Sequence, residues 1–170
     1  MNPDRARWNE KYRKGGHDLP SIPFLLYQGR LTRGRALDVA GGLGENGAIL
    51  ALAGWQVTLI DLSDEALVRA RARACELKAD VRIVQADALH LPLRGPFETI
   101  LVTRFLERSI TPELARLLAP GGTLLAEQPL SGLSEAHCIK PGEFARLFNT
   151  LEVVLDTIEG DRSIFIGRKR

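Results

Sequence analysis

The stretch that decides the fold reads Ala36-Leu37-Asp38-Val39-Ala40-Gly41-Gly42-Leu43-Gly44-Glu45-Asn46-Gly47. Its first five residues predict a buried strand, and the glycines that follow predict a tight turn. A helix is then expected from Glu45 to Ala53, because Gly54 is a residue type that ends helices. A strand, a turn and a helix in this order form the first unit of an alternating α/β fold.

The rest of the chain repeats this unit. Further strands are predicted at about Gln56–Ile60, Val81–Gln85, Thr99–Thr103 and Thr123–Glu127, followed by a hairpin of Glu152–Ile158 and Arg162–Arg168. Helices are predicted from Ser63 to Lys78, with Leu67, Ala70, Ala74 and Leu77 on one face, from Thr111 to the turn at Pro120, and from Pro141 to Phe148. We therefore predict a Rossmann-like α/β fold: a mostly parallel, seven-stranded sheet with a C-terminal antiparallel hairpin and helices on both faces.

The amino-acid composition excludes several classes of protein. The 170 residues are 45% hydrophobic and 26% charged, which is typical of one globular domain, so a single domain is expected over residues 1–170. No run approaches the roughly 18 apolar residues of a membrane span, and the polar N-terminus does not resemble a signal peptide. Cys75 and Cys138 are too few and too far apart for a disulfide framework or a zinc site. We expect a cytoplasmic protein with no metal and no membrane partner, acting as a monomer or a homodimer.

Positive charge is concentrated near the N-terminus. Residues 1–35 contain eight Lys or Arg and three acids, whereas the remainder contains fifteen and eighteen. The segment favours either a solvated amphipathic helix or contact with an anionic ligand or nucleic acid.

The glycine turn is the predicted ligand site, because ligands of open α/β sheets bind beyond the carboxyl ends of the strands. Gly42, Gly44 and Gly47 form a G-x-G-x-x-G pattern, and Asp61 ends the next strand, where an acid is suited to ribose hydroxyls. These features are typical of an adenosine-containing ligand. Taken alone, they fit NAD nearly as well as S-adenosylmethionine.

Two further acids distinguish these ligands. Asp38 lies where dinucleotide folds keep an apolar residue, and its carboxylate suits the ammonium of a methionine moiety while repelling a pyrophosphate. Asp87 follows the third strand, where it can accept a hydrogen bond from an adenine amino group. An alternative interpretation of Asp38 is that its carboxylate caps nearby N–H groups. For Asp87 the alternative is a turn residue that binds no ligand. Acids at three successive strand ends favour S-adenosylmethionine.

The sequence resembles the class I S-adenosylmethionine-dependent methyltransferases along nearly its whole length, most closely the small members akin to tellurite-resistance methyltransferases. Residues 37–46 are similar to that group's first motif, L-D-x-A-C-G-x-G-x-N. The other matching segments are Trp8-Asn9-Glu10-Lys11-Tyr12, Pro20 to Leu25, Leu118-Ala119-Pro120-Gly121-Gly122 and Ile139-Lys140-Pro141-Gly142-Glu143-Phe144. The group's frequent Cys is Gly41 here, and its frequent Thr is Leu43.

The resemblance implies a cofactor site and a lid. Residues 1–30 would form a lid and substrate segment, and residues 35–170 the core. The residues expected to bind S-adenosylmethionine are Trp8, Tyr12, Asp38, Ala40, Gly41, Gly42, Gly44, Asn46, Asp61, Leu62, Asp87, Ala88 and Thr103. Trp8 and Tyr12 are four residues apart, so they share one helix face. No catalytic residue is assigned, because in-line methyl transfer needs a general base only when the acceptor must lose a proton.

The acceptor is expected to be a small molecule, since the chain has almost no residues beyond the core sheet. Thr103-Arg104-Phe105 stands where amino-methylating nucleic-acid enzymes have N-P-P-[YF]. Arg104, Glu107, Arg108 and His137 are candidates for substrate contact, with solvent-exposed surface residues as the alternative; His17 and His90 are expected in loops or on the surface. The remaining alternatives are a nucleic-acid methyltransferase, a non-catalytic S-adenosylmethionine-binding module and a nicotinamide enzyme.

Overall fold

The computed structural model describes residues 3–15, 19–132 and 134–170. Its helices are α1 (Pro3–Arg13), α2 (Ile22–Tyr27), α3 (Glu45–Leu52), α4 (Asp64–Leu77), α5 (Thr111–Leu117) and α6 (Glu143–Leu147). Its strands are β1 (Arg35–Val39), β2 (Gln56–Asp61), β3 (Val81–Gln85), β4 (Phe97–Thr103), β5 (Leu118–Pro129), β6 (Glu152–Glu159) and β7 (Arg162–Arg168). None of the helices in these ranges is both long enough and apolar enough to cross a membrane.

The strands form one seven-stranded sheet in the order β3-β2-β1-β4-β5-β7-β6. Strands β1 to β5 pair in parallel, whereas β7 is antiparallel to both β5 and β6. The predicted fold class is therefore confirmed. The strand order reverses between β1 and β4, and in such sheets this is where a ligand crevice opens.

Side chains alternate between the two faces of the sheet, and this alternation positions the site. Leu37 and Val39 of β1 join the core that includes residues of α5 and α6, whereas Ala36 joins the core formed with α2 and α3. By the two-residue period of a strand, Asp38 lies on the face of α2 and α3. Thr103 and Glu127, which are directly paired, lie on that face too, since Leu101 and Leu125 belong to its core.

Several predicted boundaries were wrong. Helix α2 was not anticipated, although Ser21 caps it and accepts a hydrogen bond from the Phe24 amide. Strand β5 begins at Leu118, before the Pro-Gly-Gly turn expected to precede it, because a register shift against β4 accommodates that turn. Helix α6 begins after Gly142, whose left-handed φ of 67° is incompatible with an α-helix. Leu77 is 44% exposed, because α4 buries only side chains of its first two turns.

Candidate cofactor and active site

Asp38 is a buried carboxylate with no side-chain hydrogen-bond donor among the described residues. It is 1% exposed, and neither oxygen accepts a hydrogen bond of ordinary geometry from any described residue. Burial is the main cause that raises its pKa to about 7, with the charge of Glu45 second, while the Gly47 amide acts in the opposite direction. The Gly47 amide acts on this carboxylate, so the capping role weighed as an alternative stays a prediction beside the ligand role. A buried, unpartnered carboxylate in a native fold indicates a missing partner that is cationic or donates hydrogen bonds.

Two glycines make room for this carboxylate. A Cβ on Gly41 would lie 2.8 Å from Oδ2 of Asp38 and 2.8 Å from Cγ of Leu59, and one on Gly47 would lie 3.1 Å from the same Oδ2. Either contact is shorter than ordinary packing allows. Gly41, where the resembling group has a Cys, is thus fitted to the position that Asp38 adopts in this chain.

The turn after β1 has an unusual backbone. Ala40, Gly42 and Gly44 have φ angles of 51°, 55° and 79°, in the left-handed region that glycine adopts most readily. Gly42 also faces Tyr12, since a Cβ there would lie 2.7 Å from the tyrosine hydroxyl oxygen. The left-handed Gly44 directly precedes α3. The turn therefore exposes backbone where side chains would block close approach.

Asp61 links this turn to the end of β2. Its Oδ2 accepts a hydrogen bond from the Gly42 amide at 2.9 Å, and its Oδ1 accepts one from the Ser63 amide at 2.8 Å. The carboxylate is 7% exposed, and burial raises its pKa. Each carboxylate oxygen has two lone pairs, so these two bonds leave acceptor capacity for ribose hydroxyls. Leu62, which follows, is half-buried.

Asp87, the acid that follows β3, binds a backbone amide of its own turn. Asp87 caps the short turn Ala88–His90, and its Oδ1 accepts a hydrogen bond from the Leu89 amide at 2.9 Å. Ala88 is buried in the core. The Ala86 amide donates to the Asp61 carbonyl, so the ends of β2 and β3 are joined directly.

Asn46 and Thr103 bind each other. Nδ2 of Asn46 donates to Oγ1 of Thr103 at 3.0 Å, and Oδ1 of Asn46 accepts from the Ser21 amide at 2.9 Å. Both were expected to face the cofactor. Their polar groups have protein partners that tie α3, β4 and the N-terminal segment together, and their contact with the cofactor stays a prediction.

Glu127 extends this network and was missed in the sequence. It is 1% exposed, accepts a hydrogen bond from the Ser21 hydroxyl and forms an ion pair with Arg162. A charged residue inside the apolar run of β5 was the available signal, because acids are almost never fully buried unless paired. We define Ser21, Asn46, Thr103, Glu127 and Arg162 as the strand-end network.

Helix α1 is fixed to the start of α4 through Asp64. This carboxylate accepts hydrogen bonds from Nε and Nη2 of Arg5, both at 2.8 Å, from Asn9 at 3.0 Å and from Gln85 at 2.5 Å. The Asn9, Arg5 and Gln85 side chains hold the pKa of Asp64 below its usual value. A bidentate arginine contact orients the two elements as well as joining them.

The aromatic pair of α1 lies as predicted on one helix face. The rings of Trp8 and Tyr12 are 6.0 Å apart between centroids, and both side chains are half-buried. The Tyr12 hydroxyl faces the glycine turn, and its pKa is raised by burial and then by the charge of Asp61. Arg69 of α4 donates to the Tyr12 carbonyl at 3.2 Å. The sequence could place the two rings together, but it could not show that Tyr12 reaches Gly42.

The charged residues after β4 mostly have structural partners. Glu107 accepts hydrogen bonds from the amide and hydroxyl of Ser109, and Arg108 pairs with Glu143 at 2.6 Å. Among the described residues, the Arg104 side chain makes one hydrogen bond, from Nη2 to the Leu19 carbonyl at 3.2 Å. Its φ of 58° is left-handed.

The two histidines that the structure describes, His90 and His137, do not form a cluster. His137 is exposed, with its Nδ1 2.7 Å from the Ser134 hydroxyl, and His90 is exposed as well. His17 lies outside the described residues. In the part of the chain that the structure describes, no three His, Cys, Asp or Glu side chains are placed to hold a metal ion. A groove of about 640 Å³, lined by Arg108, Ala136, Lys140, Glu143, Arg146 and Leu147, lies apart from Asp38.

The sequence profile of a family described as "Methyltransferase domain" matches residues 36–122. This match spans 87 of the 170 residues and includes the glycine turn, Asp61 and Asp87. The chain therefore belongs to this family. It is a class I, S-adenosylmethionine-dependent methyltransferase.

The names of individual relatives specify different methyl acceptors. Ribosomal RNA small subunit methyltransferase G of Burkholderia cenocepacia is 29% identical over 157 residues, covering 88% of this chain and 68% of the relative. Protein-L-isoaspartate O-methyltransferase of Dechloromonas aromatica is 36% identical over 103 residues, 59% of this chain and 47% of the relative. These names agree on methyl transfer and differ in substrate.

Solved structures share the fold at low identity. Magnesium protoporphyrin IX methyltransferase (ChlM) from Synechocystis PCC 6803, solved with bound SAH, has a TM-score of 0.74 at 15% identity and covers 98% of both chains. TehB from Haemophilus influenzae has a TM-score of 0.78 at 16% identity, covering 98% of this chain and 67% of TehB. Identities this low show the fold alone, so the resemblance to the tellurite-resistance group stays a prediction.

Proposed function

We propose that the enzyme methylates a small molecule, which binds beneath the N-terminal segment at the carboxyl ends of β4 and β5. The observation that carries this proposal is the way the N-terminal segment is fixed across those strand ends. Asp64 holds α1, and the strand-end network holds Ser21. A segment held at both places favours an enclosed acceptor, because closing a site over its substrate excludes water.

The crevice is chemically suited to the cofactor. The unpartnered carboxylate of Asp38 complements the ammonium of a methionine moiety, and Gly41 and Gly47 keep the space beside it free of side chains. We assign the ribose to Asp61 and the adenine to Asp87 and Ala88. The turn of Ala40, Gly41, Gly42 and Gly44 would line the methionine part, with Asn46, Leu62, Thr103, Trp8 and Tyr12 around it.

Bound S-adenosylmethionine supplies a methyl group already activated by a positively charged sulfur. The protein therefore has to orient the acceptor and keep water away. Trp8 and Tyr12 would cover the crevice with aromatic surface, and the strand-end network would hold the wall on the acceptor side. We assign no general base, because methyl transfer needs one only when the acceptor must lose a proton.

The charge pattern of α1 supports a small molecule over a nucleic acid. Residues 3–15 contain five cations, and four of them form ion pairs within the protein: Arg5 with Asp64, Arg7 with Asp4, Arg13 with Glu10 and Glu65, and Lys14 with Glu10. Nucleic-acid binding draws its affinity from cations that neutralise phosphates. Cations already paired with carboxylates are less available for that role.

A second candidate is an RNA methyltransferase, favoured by the relative that is named for ribosomal RNA and covers 88% of this chain. A non-catalytic S-adenosylmethionine-binding role is the third. Residues 1–170 would act as one domain, with residues 1–30 as its lid. Cys75 and Cys138 form no disulfide in the part of the chain that the structure describes, which is compatible with the reducing cytoplasm expected from the sequence.

The proposal is tested by incubating the protein and S-adenosylmethionine with metabolite pools, chalcogen oxyanions or RNA, and measuring the demethylated cofactor. Product with a metabolite or an oxyanion supports a small-molecule acceptor, whereas product with RNA alone overturns it. Asp61→Asn should weaken binding of S-adenosylhomocysteine (SAH) about tenfold or more, since a charge-assisted hydrogen bond contributes about 1.5–3 kcal/mol. Asp80→Asn, at an exposed carboxylate, is the matched control.

A further inference from the structure

The glycine turn after β1 is held from two sides. On one side, the amides of Gly41 and Gly42 donate to acceptors on β2 at 3.0 and 2.9 Å. On the other side, Nη1 of Arg73 in α4 donates to the Leu43 carbonyl at 2.6 Å. The Arg73 side chain therefore joins the turn to a helix that packs against the sheet.

Arg73 reaches the turn beside a buried acid. The same Nη1 lies 3.0 Å from Oε1 of Glu45, the first residue of α3, which is only 7% exposed. That oxygen accepts no hydrogen bond of ordinary geometry from the described residues. Nη1 is therefore aligned with the Leu43 carbonyl, and Glu45 adds the attraction between opposite charges. Hydrogen bonds from a charged donor are stronger than those between neutral groups.

Helix α4 approaches the turn closely at the same place. A Cβ on Gly44 would lie 3.2 Å from Cβ of Ala70, which is three residues before Arg73 and so lies on the same helix face. The helix therefore supports the turn at two successive positions. It packs against Gly44, and it binds the Leu43 carbonyl.

The turn needs support because its backbone is strained and rich in glycine. Ala40 has a φ of 51°, in a region that a residue with a side chain keeps only when its surroundings hold it there. Gly42 and Gly44 have access to many other conformations in a free loop. The Leu43 carbonyl lies between these two left-handed glycines, so a contact that fixes it restricts both.

We propose that Arg73 is a positioning residue for the cofactor: by holding the Leu43 carbonyl, it keeps the glycine turn in the shape that receives the methionine part of S-adenosylmethionine. This role rests on the proposed assignment of the methionine part to the turn, and it needs no contact between Arg73 and the cofactor. Without the hydrogen bond, cofactor binding would first have to order the turn, and this ordering lowers the affinity.

The test compares full-length variants by calorimetry with SAH at pH 8 and by amide hydrogen exchange of residues 41–44. Arg73→Gln should weaken SAH binding about threefold to tenfold, and it should speed up exchange in the turn of the cofactor-free protein but not in the sheet. A double variant, Arg73→Gln with Glu45→Gln, leaves no unpaired buried charge and should show the same two effects. Arg71→Gln, at an exposed position of the same helix, is the matched control and should show neither.

Three results would overturn the positioning role. One is an Arg73→Gln protein that is less stable in urea but binds SAH as tightly as the wild type, because Arg73 would then support the fold alone. Another is a double variant that binds like the wild type, since the loss would come from the unpaired charge of Glu45. The third is SAH that leaves exchange of residues 41–44 unchanged in the wild type, which refutes the assignment of the turn to the cofactor and with it the role of Arg73.

Discussion

The unpartnered carboxylate of Asp38 should cost stability in the cofactor-free protein, and Asp38→Asn should recover it. Burial raises the pKa from 3.8 to about 7. A difference of about three pKa units corresponds to roughly 4 kcal/mol between the two protonation states. Asn is nearly the same size and carries no charge, so we expect it to stabilise the cofactor-free protein by about 2–4 kcal/mol at pH 8.

The sign of the pH dependence follows from the direction of the shift. Between pH 4 and 7 the folded state keeps a proton that the unfolded state has lost. The free energy of unfolding therefore falls as pH rises through this window, and the penalty is complete above pH 7. The advantage of Asp38→Asn should be roughly 2–3 kcal/mol larger at pH 8 than at pH 5.

Cofactor binding should favour the wild type over Asp38→Asn, opposite to the order of stability expected without ligand. SAH carries an ammonium that would pair with ionised Asp38. We therefore expect the affinity of the wild type for SAH to fall as the pH drops below 7, by up to about tenfold per pH unit. Asp38→Asn should bind weakly at every pH. The variant would then be more stable than the wild type without ligand and gain less when ligand is added.

Urea unfolding at pH 5 and pH 8, with and without SAH, measures both effects. Asp80→Asn, at an exposed site, is the control and should show neither. An Asp38→Asn protein that is less stable than the wild type at pH 8 would refute the reasoning. A stability difference that is the same at both pH values would do so as well, because it would show that the carboxylate has a stabilising partner in the folded protein.

Three other substitutions test the remaining contacts. Asp64→Asn removes a charge that fixes α1, so amide hydrogen exchange in residues 3–13 should speed up several-fold while exchange in the sheet stays unchanged. If exchange in residues 3–13 is the same as in the wild type, Asp64 does not hold α1 in place. Glu127→Gln should lower the free energy of unfolding, measured in urea, by about 1–3 kcal/mol, because it breaks a largely buried ion pair. The control Glu152→Gln, at an exposed position, should lower it by less than about 0.5 kcal/mol. Gly41→Cys should displace the Asp38 carboxylate, costing about 1–3 kcal/mol and weakening SAH binding; wild-type behaviour would show that the turn can relax.

Much of the fold was predictable because its signals are local. The strand and glycine turn at residues 36–44 are contiguous in sequence, and so is the Ser63 cap before α4. The three acidic strand ends were predictable for a related reason. The carboxyl ends of parallel strands meet at one edge, so Asp38, Asp61 and Asp87 had to approach one another once the topology was known.

The strand-end network and the docking of α1 depend on contacts that leave no local pattern. Ser21 and Glu127 are 106 residues apart, and Arg5 and Asp64 are 59 apart. A hydroxyl and a carboxylate at such separation have no sequence period that joins them. Asn46 illustrates the difficulty: its place after the glycine turn was predicted, while the Ser21 amide as its partner depends on tertiary packing.

The turn at residues 61–64 links the proposed cofactor residue Asp61 to helix α1, the proposed lid. Oδ1 of Asp61 accepts from the Ser63 amide, and the Ser63 hydroxyl donates to Asn9 of α1 at 2.6 Å. Asp64, the next residue, holds the same helix. A ligand that moves or charges Asp61 therefore acts on a turn whose other side chains position α1. Only two residues separate the two carboxylates, and one of them, Ser63, bonds to both Asp61 and Asn9. Cofactor binding and lid position should consequently be coupled through this turn, so that ordering α1 and binding the adenosine part favour each other.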